Sequence, residues 1–131
     1  MWLRRNQADL KTILIVDDSS IMRQSLRDAI QRRPGFRVCG EAENGREGIE
    51  MAVQLRPDLI LLDLSMPVMN GLQAAGEVQR LLPHVPILLF TTFCNSIVER
   101  AALAQGVTAV KSKSDSLESL FEKMHELTEA V

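Results

Sequence analysis

The chain has 131 residues, enough for one domain with a sizeable core and no need of metal or disulfide staples. Its 46% hydrophobic and 24% charged residues are ordinary for a globular protein, and a net charge of −2 offers no general attraction to nucleic acid or an anionic membrane. No apolar run is long enough to span a bilayer, so neither direct nucleic-acid binding nor membrane insertion is expected.

Residues 1–10 stand apart from the pattern that follows and are read as an N-terminal extension to a domain over 11–131. Arg4 and Arg5 have no apolar stretch behind them to make a signal peptide, which predicts a cytoplasmic location. Thr12–Val16 (TILIV) reads as the first strand and runs straight into Asp17 and Asp18. Ser19 or Ser20 then caps a helix whose apolar stripe is Met22, Leu26, Ala29 and Ile30, and Pro34-Gly35 stops it. Phe36–Glu41 is the second strand, and the helix after it ends at Arg56-Pro57. Leu59–Leu62 (LILL) is the third strand and ends on Asp63. Asn70-Gly71 opens the third helix, and Pro83 and Pro86 bracket the passage to a fourth strand, Ile87–Phe90 (ILLF), followed by Thr91 and Thr92. Gly106 ends the fourth helix, Val107–Val110 forms a fifth strand, and Lys113 lies just past it. Leu117, Leu120, Phe121, Met124 and Leu127 then fall on one face of a last helix.

Alternation of strand and helix throughout gives (βα)5, and the continuous apolar runs suit parallel strands covered on both faces. The expected fold is a doubly wound α/β sandwich with a five-stranded parallel sheet. Its order, 2-1-3-4-5, is borrowed from the flavodoxin-like arrangement. In that order the first and third strands are neighbours at the reversal point, and ligands bind beyond the carboxyl ends of the strands there. Asp17, Asp18 and Asp63 therefore converge. Three carboxylates in a half-buried site need raised pKa values or a cation, and Mg2+ suits a shallow site of oxygen ligands. A cation beside Asp63 would let that carboxylate act as nucleophile toward a phosphoryl group. Thr91 and Thr92, after the fourth strand, and Lys113, past the fifth, reach the same rim, where a hydroxyl and an ammonium can each donate to phosphoryl oxygens.

Acid pair, D-x-x-M-P (Asp63, Met66, Pro67) with a following N-G, threonine after the fourth strand and lysine after the fifth resemble the receiver domains of two-component response regulators. The resemblance runs from about Lys11 to Val131. It implies that Asp63 is the phosphoacceptor, that a sensor histidine kinase or phosphotransfer protein is the donor, and that a downstream effector protein is the target. It implies Mg2+ held by Asp17, Asp18 and Asp63, with Asp18 the favoured direct ligand of the pair and the backbone carbonyl of Ser65 completing the set. Thr91 takes the switch position, and the family's spacing from Gly106 selects Lys113 over Lys111. A homodimer through the last two strands and helices is a further expectation. The chain would be a signalling module whose own chemistry is limited to accepting and losing the phosphoryl group.

Two departures from the family pattern stand out. Val110 occupies the place where most members carry a switching aromatic, and the chain has no tyrosine at all. Ser114 replaces the proline that often follows the lysine, as in DNA-binding branches of the family. A receiver cut from a DNA-binding regulator and a receiver that docks without phosphorylation are thus the alternatives. Phe93, two residues past Thr91, either shields the site and slows hydrolysis or serves as loop packing or part of an exposed interaction surface. A dehalogenase-type phosphatase would need D-x-D and a cap insertion where this chain has DDSS and none. An FMN carrier would need a hydroxyl- and glycine-rich phosphate loop in place of the acids. Cys39 and Cys94 show no metal or disulfide spacing and are read as reduced thiols. His84 and His125 are read as surface residues away from the acids.

Overall fold

Strands with apolar side chains on both faces require cover on both sides, and the fold supplies it with five helices. The structure, a computed structural model, describes residues 10–129. Trp2, the Arg4-Arg5 pair and nearly all of the expected extension lie outside the described residues. Strands β1 (Lys11–Val16), β2 (Phe36–Ala42), β3 (Leu59–Leu62), β4 (Ile87–Thr91) and β5 (Ala109–Ser112) alternate with α1 (Ser20–Gln31), α2 (Gly45–Leu55), α3 (Gly71–Leu81), α4 (Ser96–Ala104) and α5 (Leu117–Thr128). All neighbours pair in parallel, in the order β2-β1-β3-β4-β5.

Because successive side chains of a strand point to opposite faces, each central strand feeds two cores. Ile13, Ile15, Leu59, Leu61, Leu88 and Phe90 pack with Leu26 and Ile30 of α1 and with Leu120, Phe121 and Met124 of α5. Leu14, Val16, Ile60, Leu62, Ile87 and Leu89 pack with Ala52 of α2, Ala74, Ala75 and Val78 of α3 and Ala102 of α4. Each fully buried Leu or Ile contributes about 1.5–3 kcal/mol relative to an exposed one. The two layers therefore fix the strand ends firmly, and the strand ends carry the polar residues.

Every helix follows a strand, so all five N-termini gather at the carboxyl edge of the sheet. Side chains of Ser19, Asn44, Asn70, Asn95 and Ser116 cap them by accepting backbone N–H groups, and Asn70 with Gln73 forms a reciprocal capping box. Such caps are worth about 1 kcal/mol each.

Two expectations shift. Strand β5 begins at Ala109, two residues later than Val107, because Val107 is buried by the turn and Thr108 spends its N–H and hydroxyl on Ile87 before ladder pairing starts at Leu88–Ala109. Leu117 remains 48% exposed at the first turn of α5, whereas Thr128 is buried at the other end. Burial of that hydroxyl is tolerated because it donates to the carbonyl of Met124 at 2.7 Å.

Candidate functional site

Asp17 is the first residue past β1, and its backbone N–H still donates to Ala42 O of β2 at 3.0 Å. Asp63 is the first residue past β3, tied to β1 by its N–H donating to Val16 O at 2.9 Å. Neighbouring strands thus deliver two carboxylates to one place, and both are buried. Asp18, one residue on, is exposed. One carboxylate oxygen from each of the three lies within 4.8 Å of the others.

Lys113 enters from the end of β5, its backbone N–H donating to Thr91 O at 2.9 Å. Its ammonium donates to Asp17 Oδ2 at 2.8 Å and stands 3.4 Å from Asp63 Oδ1. Lys111 is turned away, with Nζ 2.6 Å from Ser119 Oγ on α5. Period-2 alternation would put both lysines on one face, but Lys113 lies beyond the last ladder residue, Ser112, and is free of the pleat.

Electrostatics follow from burial. Desolvation raises the Asp63 pKa above its ordinary value; the Asp17 charge adds to this, and Lys113 and the Leu64 N–H work against it. For Lys113, burial alone would lower the pKa. The hydrogen bond to Asp17 and the charges of Asp63 and Asp17 outweigh it, so its pKa is raised and the ammonium is held charged. Negative charge is thus in excess at the site, and one lysine only partly offsets it. This is the electrostatic setting a small divalent cation relieves.

Thr91 is fully buried at the end of β4, and its hydroxyl accepts the Phe93 N–H at 3.0 Å, leaving its own proton free to donate elsewhere. Thr92 is exposed, as are Ser65 in the loop after β3 and Phe93 at 56%. Val110 packs against the core layer that includes Leu14 and Leu89. His125 stacks on Phe36 at the opposite end of α5 from its Ser116 cap, with ring centroids 4.6 Å apart.

Two supports of the site escaped the sequence reading. A Cβ at Gly71 would stand 2.2 Å from Asp63 O, so only glycine lets α3 start this close to the acid, and its N–H donates to Leu64 O at 2.8 Å. Arg23, in the first turn of α1, donates from Nη1 to Asp17 O at 2.6 Å. A usable signal existed for Arg23. Helical side chains lean toward the N-terminus, so a residue four past the Ser19 cap reaches back over the strand end.

A doubly wound sheet with buried carboxylates and a lysine at its reversal point defines the class: an α/β domain with an acidic, cation-seeking cleft at the carboxyl ends of its strands. The comparisons with known proteins narrow it. Residues 13–125 match the sequence model of the response regulator receiver domain. The chain is 37% identical over 99 residues to the chemotaxis protein CheY of Thermotoga maritima, covering 76% of this chain and 78% of that one. It is 36% identical over 120 residues to protein-glutamate methylesterase/protein-glutamine glutaminase 1 of Methanosarcina acetivorans, covering 90% of this chain but 34% of that protein. Among solved structures, the response regulator domain of Thermotoga maritima CheB superposes with a TM-score of 0.86 at 28% identity, over 93% of this chain and 98% of that one. The chain belongs to the response regulator receiver domain family, the signalling modules of two-component systems.

Proposed function

We propose that this receiver takes a phosphoryl group onto Asp63 from a phosphohistidine of a sensor kinase or phosphotransfer protein. The observation that carries the proposal is the burial of Asp63 beside Asp17, with the Lys113 ammonium within 3.4 Å of both. An Asp63 carboxylate oxygen forms the new bond to phosphorus as the phosphorus–nitrogen bond of the donor breaks, and the imidazole nitrogen keeps the electron pair. Lys113 and Thr91 donate to the transferred phosphoryl oxygens. Asp17, Asp18 and Asp63, with the Ser65 carbonyl, would hold Mg2+, which supplies charge neutralisation between the acids and the incoming phosphoryl group. The crowding of three carboxylates fits that ion. Removal of the phosphoryl group would be the domain's only other chemistry.

Residues 11–131 then form the receiver unit and 1–10 an extension, in a cytoplasmic protein whose output is a changed surface for an effector or a second copy, through the last two strands and helices. Among the described residues no helix is long and apolar enough to cross a membrane. Relatives in which the receiver is one third of a longer protein support an origin within a larger regulator. Val110 favours a second reading, docking without a phosphorylation-driven switch, because a valine cannot swing as a ring does. Incubation with acetyl phosphate and Mg2+, followed by intact mass, separates them. Gain of one phosphoryl mass, absent in EDTA, supports phospho-acceptance; no gain from acetyl phosphate or a phosphorylated kinase supports docking alone.

A further inference from the structure

Asp17 is held on every polar atom. Its Oδ1 accepts the Ser19 N–H at 2.9 Å, its Oδ2 accepts Lys113 at 2.8 Å, its N–H donates to Ala42 O at 3.0 Å, and its carbonyl accepts Arg23 Nη1 at 2.6 Å. Asp18 is different: it is exposed, and among the described residues Lys113 pairs with Asp17 and Asp63 but not with it. The direction of the Asp18 carboxylate therefore depends on its backbone, and its backbone begins with the Asp17–Asp18 peptide. Arg23 grips that peptide by its oxygen.

Arg23 is itself constrained. Its Nε stands 3.3 Å from Glu41 Oε1 on β2, with the two side chains only 16% and 24% exposed. The other oxygen of Glu41 accepts Arg27 Nη1 at 2.6 Å. Glu41 thus orients the Arg23 fork while Arg27 holds Glu41, and Arg27 donates nothing to Asp17 among the described residues. A planar guanidinium that bridges a carboxylate and a carbonyl can set a peptide plane in a way a point charge cannot.

We propose that Arg23 is a positioning residue for the metal-holding loop, acting through the Asp17 carbonyl and oriented by Glu41. The inference rests on the reading of Asp17, Asp18 and Asp63 as Mg2+ ligands. It makes a prediction opposite in sign to simple electrostatics. Removing a cation beside an acidic cluster should tighten Mg2+ binding by Coulomb's law, whereas loss of a positioning contact should weaken it.

The test is Mg2+ titration by calorimetry of the unphosphorylated full chain, comparing wild type, Arg23→Met, Arg27→Met and Asp18→Asn at a temperature where all are folded by circular dichroism. Arg23→Met is expected to weaken Mg2+ binding about tenfold, the usual range for a lost outer partner of a metal ligand. Arg27→Met should lose much less, because Glu41 keeps its contact with Arg23, although the same charge is removed from the network. Unchanged or tighter binding by Arg23→Met overturns the proposal, and so does an equal loss in Arg27→Met. If Arg23→Met does not fold, Arg23→Lys takes its place, keeping the charge but losing the planar fork; weaker binding supports the proposal and unchanged binding overturns it. Wild type that binds no Mg2+, or binds it equally well as Asp18→Asn, overturns the metal reading itself and this inference with it.

Discussion

Replacing Asp63 with asparagine should stabilise the metal-free domain. The Coulomb energies at Asp63 offset one another in large part. Repulsion from Asp17 within 4.8 Å is about 3.5 kcal/mol at an effective dielectric of 20, and attraction to Lys113 at 3.4 Å is about 5 kcal/mol. Burial of the carboxylate, whose effective cost is several kcal/mol per ion, then decides the sign. The raised pKa of Asp63, caused first by desolvation and next by Asp17, agrees. Since the folded state binds this proton more tightly than the unfolded state, stability is lost as pH rises from the unfolded pKa through the folded one. Above that window the loss is complete. The asparagine side chain would mimic the protonated acid while Lys113 keeps Asp17 as partner, for a net gain on the order of 1–2 kcal/mol, or about 4–8 °C in Tm for a domain of this size. Thermal melts by circular dichroism in EDTA, at pH 7.5 and again near pH 4, measure it. The gap should be largest at pH 7.5 and shrink in acid. Saturating Mg2+ should raise the wild-type Tm and leave Asp63→Asn nearly unmoved. An Asp63→Asn variant less stable than wild type in EDTA at neutral pH would refute the reasoning.

Lys113→Met should destabilise the domain by about 3 kcal/mol at neutral pH, since two buried carboxylates lose their shared partner, with the loss easing at acid pH as Asp63 protonates; urea melts at the two pH values read it. Val68 has φ +71°, is 75% exposed, and lies at a γ-turn in which the Met69 N–H donates to Pro67 O at 2.7 Å, so a β-branched side chain is strained there with little packing in return. Val68→Asn should raise stability by about 1 kcal/mol in the same melts, and a loss would show that the valine packs in solution. Burial raises the pKa of the half-buried Cys39, with Arg37 opposing, while Cys94 is exposed. Alkylation followed by peptide mapping should therefore label Cys94 rapidly and Cys39 only on unfolding, and equal rates would contradict this burial.

Whatever depends on local pattern was legible in the sequence. Apolar runs ending on Asp17, Asp18 and Asp63 fixed the strand ends, and Asn70-Gly71 and Gly106 sit where helix boundaries fall. The start of β5 was not legible, because Val107 is as apolar as a strand residue and only the Thr108–Ile87 bonds show that pairing has not begun. Contacts between distant segments were the other gap. Position alone lets Arg23 reach back over the strand end, but its pairing with Glu41 of the edge strand, 18 positions on and across a crossover, shows only in the fold. Gly71 likewise reads as a helix start, and only the approach of the Asp63 carbonyl explains why no side chain fits there. Local signals located the candidate site, and long-range packing supplies what holds it.

The most direct test of the central claim is to locate the phosphoryl group. Wild type treated with acetyl phosphate and Mg2+ would be reduced with borohydride, which converts an acyl phosphate to the corresponding alcohol, and the chain mapped by peptide mass spectrometry. Conversion of Asp63 to homoserine, with Asp17 and Asp18 unchanged and no conversion in EDTA, is the predicted result. Conversion at another carboxylate, or a stable phosphoryl adduct that borohydride leaves untouched, would contradict it.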